Sequence, residues 1–88
     1  MVKAKVTFSN AAGLEVRPAG LLCELAMRFK SKITFQTDDN YEANAKSVLS
    51  VLGACVKNGQ EVELICEGED EKEALACLKK AIENGLVE

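Results

Sequence analysis

The sequence predicts a two-layer α+β domain, with helices covering one side of a mostly antiparallel sheet. Three observations predict it. Four short stretches read as strands, most of them alternating apolar and polar residues. Three others carry helix signals, two of them with apolar residues at helical spacing. Each helix and most of the strands have one apolar face to bury. The order along the chain is strand, helix, strand, strand, helix, strand, helix, or βαββαβα.

Val2, Ala4, Val6 and Phe8 alternate with Lys3, Lys5 and Thr7, the period of a half-buried strand. Ser9 to Leu14 holds Asn10 and Gly13 and reads as a loop. Pro18 is placed as the first residue of a helix, where its missing N–H costs nothing. Pro18, Leu22, Leu25, Ala26 and Phe29 give that helix one apolar face, and its end is expected around Arg28 to Lys30. Ile33 and Phe35, alternating with Thr34 and Gln36, form a second strand. Asp38, Asp39 and Asn40 make a polar turn, and Tyr41 to Asn44 returns as a short third strand. Ser47 is a natural N-cap for a short helix over Val48 to Gly53. Asn58-Gly59 is a strong turn signal. Glu61 to Glu67 follows as a strand, with Val62, Leu64 and Cys66 on one face. Asp70, with Glu73 three residues on, has the form of a capping box. Ala74, Leu75, Leu78, Ala81 and Ile82 stripe the last helix, and Gly85 is its stop.

Eighty-eight residues, almost half apolar and about a quarter charged, make one globular domain over 1–88. The net charge of −3, the lack of Trp and the scarcity of other aromatics exclude a general nucleic-acid binder, which needs a basic patch. Met1 to Thr7 alternates apolar and basic residues, unlike a signal peptide, and no window is long enough to span a bilayer. A cytoplasmic protein is expected. Cys23, Cys55, Cys66 and Cys77 include no CxxC pair and the chain has no histidine, so neither zinc nor another cofactor is expected. The four cysteines read as small buried apolar side chains. No nucleophile–base pair points to a self-contained enzyme.

The informative stretch is Gly13-Leu14-Glu15-Val16-Arg17-Pro18-Ala19. It resembles the signature of the HPr phosphocarrier family, which runs Gly, an aliphatic residue, His, a small residue, then Arg-Pro-Ala. Asn44-Ala45-Lys46-Ser47 resembles the family's second motif, and Glu67-Gly68-Glu69-Asp70-Glu71 the approach to its last helix. The resemblance covers nearly the whole chain in order and spacing. It implies a four-stranded antiparallel sheet of order 1-4-2-3 with three helices on one face. It also implies a place in the bacterial sugar phosphotransferase system, where family members take a phosphoryl group from enzyme I and pass it to sugar-specific components.

Glu15 stands at the position of the family's phospho-accepting histidine. The start of a helix offers unpaired N–H groups and a partial positive charge, here around Val16 to Ala19, which makes Val16, Arg17, Pro18 and Ala19 the anion-binding candidates, and the Arg17 guanidinium suits phosphate oxygens. A carboxylate forms an acyl phosphate in principle, but its reach and geometry differ from those of an imidazole. Loss of histidine-based transfer is therefore expected, and no residue is assigned a catalytic role. Glu15 then reads either as a partial imitation of a phosphoryl group or as an acid stabilised by the helix dipole by ~0.3–1 kcal/mol, the simpler of the two.

Ser47 matches a serine that a dedicated kinase phosphorylates in many HPr relatives, whose product binds a transcription regulator of carbon catabolite repression. The resemblance makes it the candidate for regulatory phosphorylation. It also marks Arg17, Gly20, Val48, Leu49 and Leu52 as a partner-docking surface. Val51 fills the inward face of the short helix, so at least two of Val48, Leu49 and Leu52 are expected to be exposed. Glu24 and Met27 stand where some relatives carry lysines. The leading expectation is a regulatory protein acting through Ser47, as in relatives that have lost the histidine. The alternatives are a phosphocarrier with an altered acceptor or in mutated form, and a binding module outside sugar transport.

Overall fold

The computed structural model describes residues 1–11 and 13–86. The elements run β1 (Val2–Thr7), α1 (Val16–Ala26), β2 (Lys32–Gln36), β3 (Glu42–Asn44), α2 (Val48–Gly53), β4 (Glu61–Glu67) and α3 (Glu71–Glu83). The sheet is antiparallel throughout, in the order β1-β4-β2-β3. Among the described residues three helices cover one face, giving the open-faced sandwich that the sequence predicts.

Strand alternation sets the core. Val6, Ile33, Phe35, Val62, Leu64 and Cys66 point inward and are almost fully buried. They meet Leu22 and Ala26 of α1, Val51 of α2, and Ala74, Leu78 and Ile82 of α3. Phe8 and Phe35 meet tilted, with ring centroids 5.8 Å apart, an arrangement favoured by the ring quadrupoles. The Asn58-Gly59 turn forms as read: Gly59 takes φ +84° and donates its N–H to the Phe8 carbonyl at 2.7 Å. Gly85 ends α3 in a Schellman motif. Its N–H reaches the Ile82 carbonyl at 3.1 Å, that of Leu86 reaches the Ala81 carbonyl at 2.9 Å, and Leu86 is buried beneath.

Four expectations are corrected. First, α1 begins at Val16, so Pro18 is its third residue; none of the first three N–H groups enters the helical ladder, and proline fits any of these positions. Second, α1 ends at Ala26 rather than around Arg28 to Lys30. The chain tightens there, with Arg28 N–H on the Leu25 carbonyl and Phe29 N–H on the Ala26 carbonyl, both i→i−3 bonds. Third, Asp70 caps nothing in its own helix. Its carboxylate accepts from the N–H of Lys30 at 2.9 Å, the N–H of Ser31 at 2.9 Å, and the Ser31 hydroxyl. Glu71 instead reaches back to the Gly68 N–H at 3.1 Å. Fourth, only Cys66 is a core cysteine; Cys55 is exposed and Cys23 and Cys77 are half-buried. Burial, then the charges of Glu71 and Asp70, push the Cys66 thiol up to about 11, so it stays protonated at neutral pH.

The Asp70 contacts tie the start of α3 to the link between α1 and β2. The hydroxyl of Ser31, then the N–H of Lys30, hold the Asp70 carboxyl down at about 2, against an ordinary value of 3.8. Because the folded state favours the ionised form, this tie stabilises the fold above pH ~4 and fades as pH falls toward ~2. Asp70→Ala should lower the melting temperature at pH 7, and the gap to the parent should close as pH drops through that window, as followed by circular dichroism.

Candidate functional site

Asn10, Gly13 and Leu14 lead the chain to α1. Asn10 Nδ2 donates to the Gly85 carbonyl at 2.7 Å, and the Leu14 N–H donates to the Val56 carbonyl at 2.9 Å. Gly13 makes the approach possible. It has φ +74°, and a Cβ there would lie 2.8 Å from the same Val56 carbonyl oxygen. Leu14 is buried, and the chain emerges at Glu15, the N-cap of α1, with Arg17 as the second helical residue. Glu15, Val16 and Arg17 are exposed, and the Glu15 side chain makes no capping hydrogen bond. Of the residues Val16 to Ala19, Pro18 has no N–H, and that of Ala19 is spent on the Glu15 carbonyl at 2.9 Å. Neither Pro18 nor Ala19 therefore has a backbone N–H to offer an anion at this corner.

Ser47 is the N-cap of α2. Its Oγ accepts from the Ser50 N–H at 3.3 Å. Lys46, just before it, donates its Nζ to the Phe29 carbonyl at 2.7 Å and so stitches the start of α2 to the chain leaving α1. The end of α2 is stitched through Val56 to the start of α1. The two helices pack together, with Glu15 and Ser47 toward opposite ends of α1, a helix about 16 Å long. Glu15 and Arg17 lie at the start of α1, and Ser47 lies at the start of α2.

The residues expected to dock partners differ in exposure. Leu49 is 83% exposed and Val16 is 71% exposed. Gly20 is partly open, and a Cβ added there would meet nothing within 4 Å. Only Leu49 of the α2 trio is fully exposed. Against the expectation that at least two would be exposed, Val48 and Leu52 are half-buried against the core, because Val51 alone does not fill the inner side of the six-residue helix. Met27, beyond the other end of α1, is also exposed.

A family model for the phosphotransferase HPr component phosphorylation site matches residues 2–84. The chain belongs to the HPr family. It is 39% identical to the phosphocarrier protein HPr of Treponema pallidum over 88 residues, covering all of this chain and 99% of that one. It is 44% identical to the HPr-like protein Crh of Bacillus subtilis over 75 residues, or 85% of this chain and 87% of Crh. The HPr-C-His structure from Thermoanaerobacter tengcongensis superposes with a TM-score of 0.92, at 35% identity, over 100% of this chain and 98% of that one. HPr-family proteins carry or report phosphoryl groups and are not enzymes in their own right. In this HPr-family chain there is no histidine to do so. Among the described residues no group of three or more His, Cys, Asp or Glu side chains is placed to hold a metal ion. No helix among them is long and apolar enough to cross a membrane.

Sequence reasoning missed Ser50 and Asn44 as neighbours that hold Ser47, and Tyr41 as the partner of Ser50. Ser50 lies three residues after the N-cap, where a capping box would place an acid or amide, so it gave no signal. Tyr41 is nine residues from its partner, Ser50.

Gly20 is the one helical glycine facing open space, and a helix interior disfavours glycine against alanine by ~0.8–1 kcal/mol. Gly20→Ala should raise unfolding stability by about 0.5–1 kcal/mol in urea titrations. A loss of stability would show that the helix surface there is not open.

Proposed function

We propose that this HPr-family chain is a regulatory protein of the sugar phosphotransferase system that works through Ser47 and its docking surface, not through phosphoryl transfer at the first motif. The observation that carries the reading is a contrast between the two ends of α1. At one end a carboxylate, Glu15, occupies the N-cap, and no histidine exists anywhere in the chain to take its place. At the other end Ser47 presents a partly exposed hydroxyl on the N-cap of α2. Phosphate there would add nearly two negative charges beside the exposed Leu49, a change that a partner's arginines can read. A structural relative is described as the Bacillus subtilis catabolite repression HPr, which supports a regulatory role. The partners on this reading are an HPr serine kinase and a transcription regulator, and the protein stays in the cytoplasm.

A second reading keeps the chain as a phosphocarrier between enzyme I and sugar-specific components. Full-length similarity to the Treponema phosphocarrier favours it. Glu15 would then be the acceptor, as an acyl phosphate.

Incubation with enzyme I and phosphoenolpyruvate, and separately with HPr serine kinase and ATP, decides between them. Mass spectrometry should find one phosphate, on Ser47, in the kinase reaction alone, and Ser47→Ala should abolish it. Stable label on Glu15 from enzyme I would overturn the regulatory reading.

A further inference from the structure

Three hydrogen bonds close a ring between β3 and the start of α2. Ser47 donates its N–H to the Asn44 carbonyl at 3.0 Å. Ser50 donates its N–H to Ser47 Oγ at 3.3 Å, and Asn44 donates its N–H to Ser50 Oγ at 2.8 Å. Each residue gives one bond and takes one. The Asn44 side chain adds a fourth tie, its Oδ1 accepting from the Lys46 N–H at 2.9 Å.

A tyrosine holds the ring from outside. Tyr41 donates its hydroxyl to the Ser50 carbonyl at 3.0 Å. In a regular ladder that carbonyl would accept from Ala54, but the Ala54 N–H has turned to Val51 at 3.1 Å as α2 ends. Tyr41 fills the vacancy. It lies against the helix because residue 53 is glycine: a Cβ there would stand 2.6 Å from the tyrosine oxygen and 3.4 Å from Cζ. Tyr41, Ser50 and Gly53 thus specify one another, across a gap that no local sequence pattern spans.

We infer that Ser50 and Tyr41 are positioning residues for Ser47, setting the direction of its hydroxyl and thereby the rate at which it is modified. The inference rests on the reading of Ser47 as the phosphorylated residue. A hydroxyl oxygen has two lone pairs and one proton. The Ser50 N–H occupies one lone pair and leaves the other to attack the γ-phosphorus of ATP. The new bond joins Ser47 Oγ to phosphorus, the bond to the bridging oxygen of the departing ADP breaks, and the hydroxyl proton passes to a base of the kinase. Releasing Ser50 from Tyr41 or from Asn44 frees the Ser47 side chain to rotate, so fewer encounters place the lone pair in line. The docking contacts at Leu49 remain.

The test compares kinetics with an HPr serine kinase and ATP. Tyr41→Phe keeps the ring on Gly53 and deletes one hydrogen bond; Ser50→Ala opens the ring of three; Ser50→Thr retains the hydroxyl. The first two should lower kcat roughly fivefold, the effect of about one hydrogen bond, with KM held. Ser50→Thr should restore most of the rate, and Leu49→Ala should raise KM with kcat held. In the unmodified protein, Tyr41→Phe should also shift the Ser47 and Ser50 amide resonances and hasten exchange of the Ser50 N–H. If the parent gains no phosphate on Ser47, the regulatory reading falls, and the amide measurements alone decide whether Tyr41 holds Ser47. Unchanged kcat in both variants of a phosphorylated parent, or undisturbed amides, would overturn the inference.

Discussion

The bond from the Leu14 N–H to the Val56 carbonyl is the contact on which the functional end of this molecule depends. It joins the chain just before α1 to the chain just after α2, two segments more than forty residues apart in sequence. Burial of Leu14 and the glycine at position 13 allow the backbones to come that close. With Asn10 anchored on Gly85, the loop becomes a strap across the ends of α2 and α3, and it holds Glu15 and Arg17 at a fixed corner. The geometry is thus built whether or not the residue at the N-cap can accept a phosphoryl group. A carboxylate can occupy the corner without disturbing the fold, since its side chain makes no capping bond there.

The remaining connections divide the surface in a useful way. Lys46 and the ring around Ser47 fasten the start of α2 to β3 and to the turn after α1. Val56 fastens its other end. A helix of six residues has little stability of its own and is held by these ties together with the packing of Val51, Val48 and Leu52 against the core. It presents Leu49 outward.

How much of this was legible in the sequence follows from the range of each interaction. Periodicity gave the elements and their buried faces, because strand and helix repeats act over a few residues: Val62, Leu64 and Cys66 point inward as read, and so do Ala74, Leu78 and Ile82. Local signals at Ser47, Gly59 and Gly85 also held, since each works on its own turn or helix end. The strand order came from the family resemblance and not from the pattern. What failed was ambiguous or long-range. Proline suits any of the first three helical positions, so Pro18 could not mark the start of α1. Asp70 looked like a cap but serves Lys30 and Ser31, about forty residues away. Exposure of the α2 side chains depended on how the helix packs on the core, and the hold of Tyr41 on Ser50 depended on the return of β3.

The prebuilt corner can be tested through a single proton. Native-state hydrogen exchange of the Leu14 N–H, measured by NMR, reports whether the strap is a fixed part of the fold. The account predicts protection comparable to that of the Leu64 N–H in the central strand β4, with both lost in the same opening. Exchange of Leu14 at the rate of an unstructured loop, while Leu64 stays protected, would contradict it.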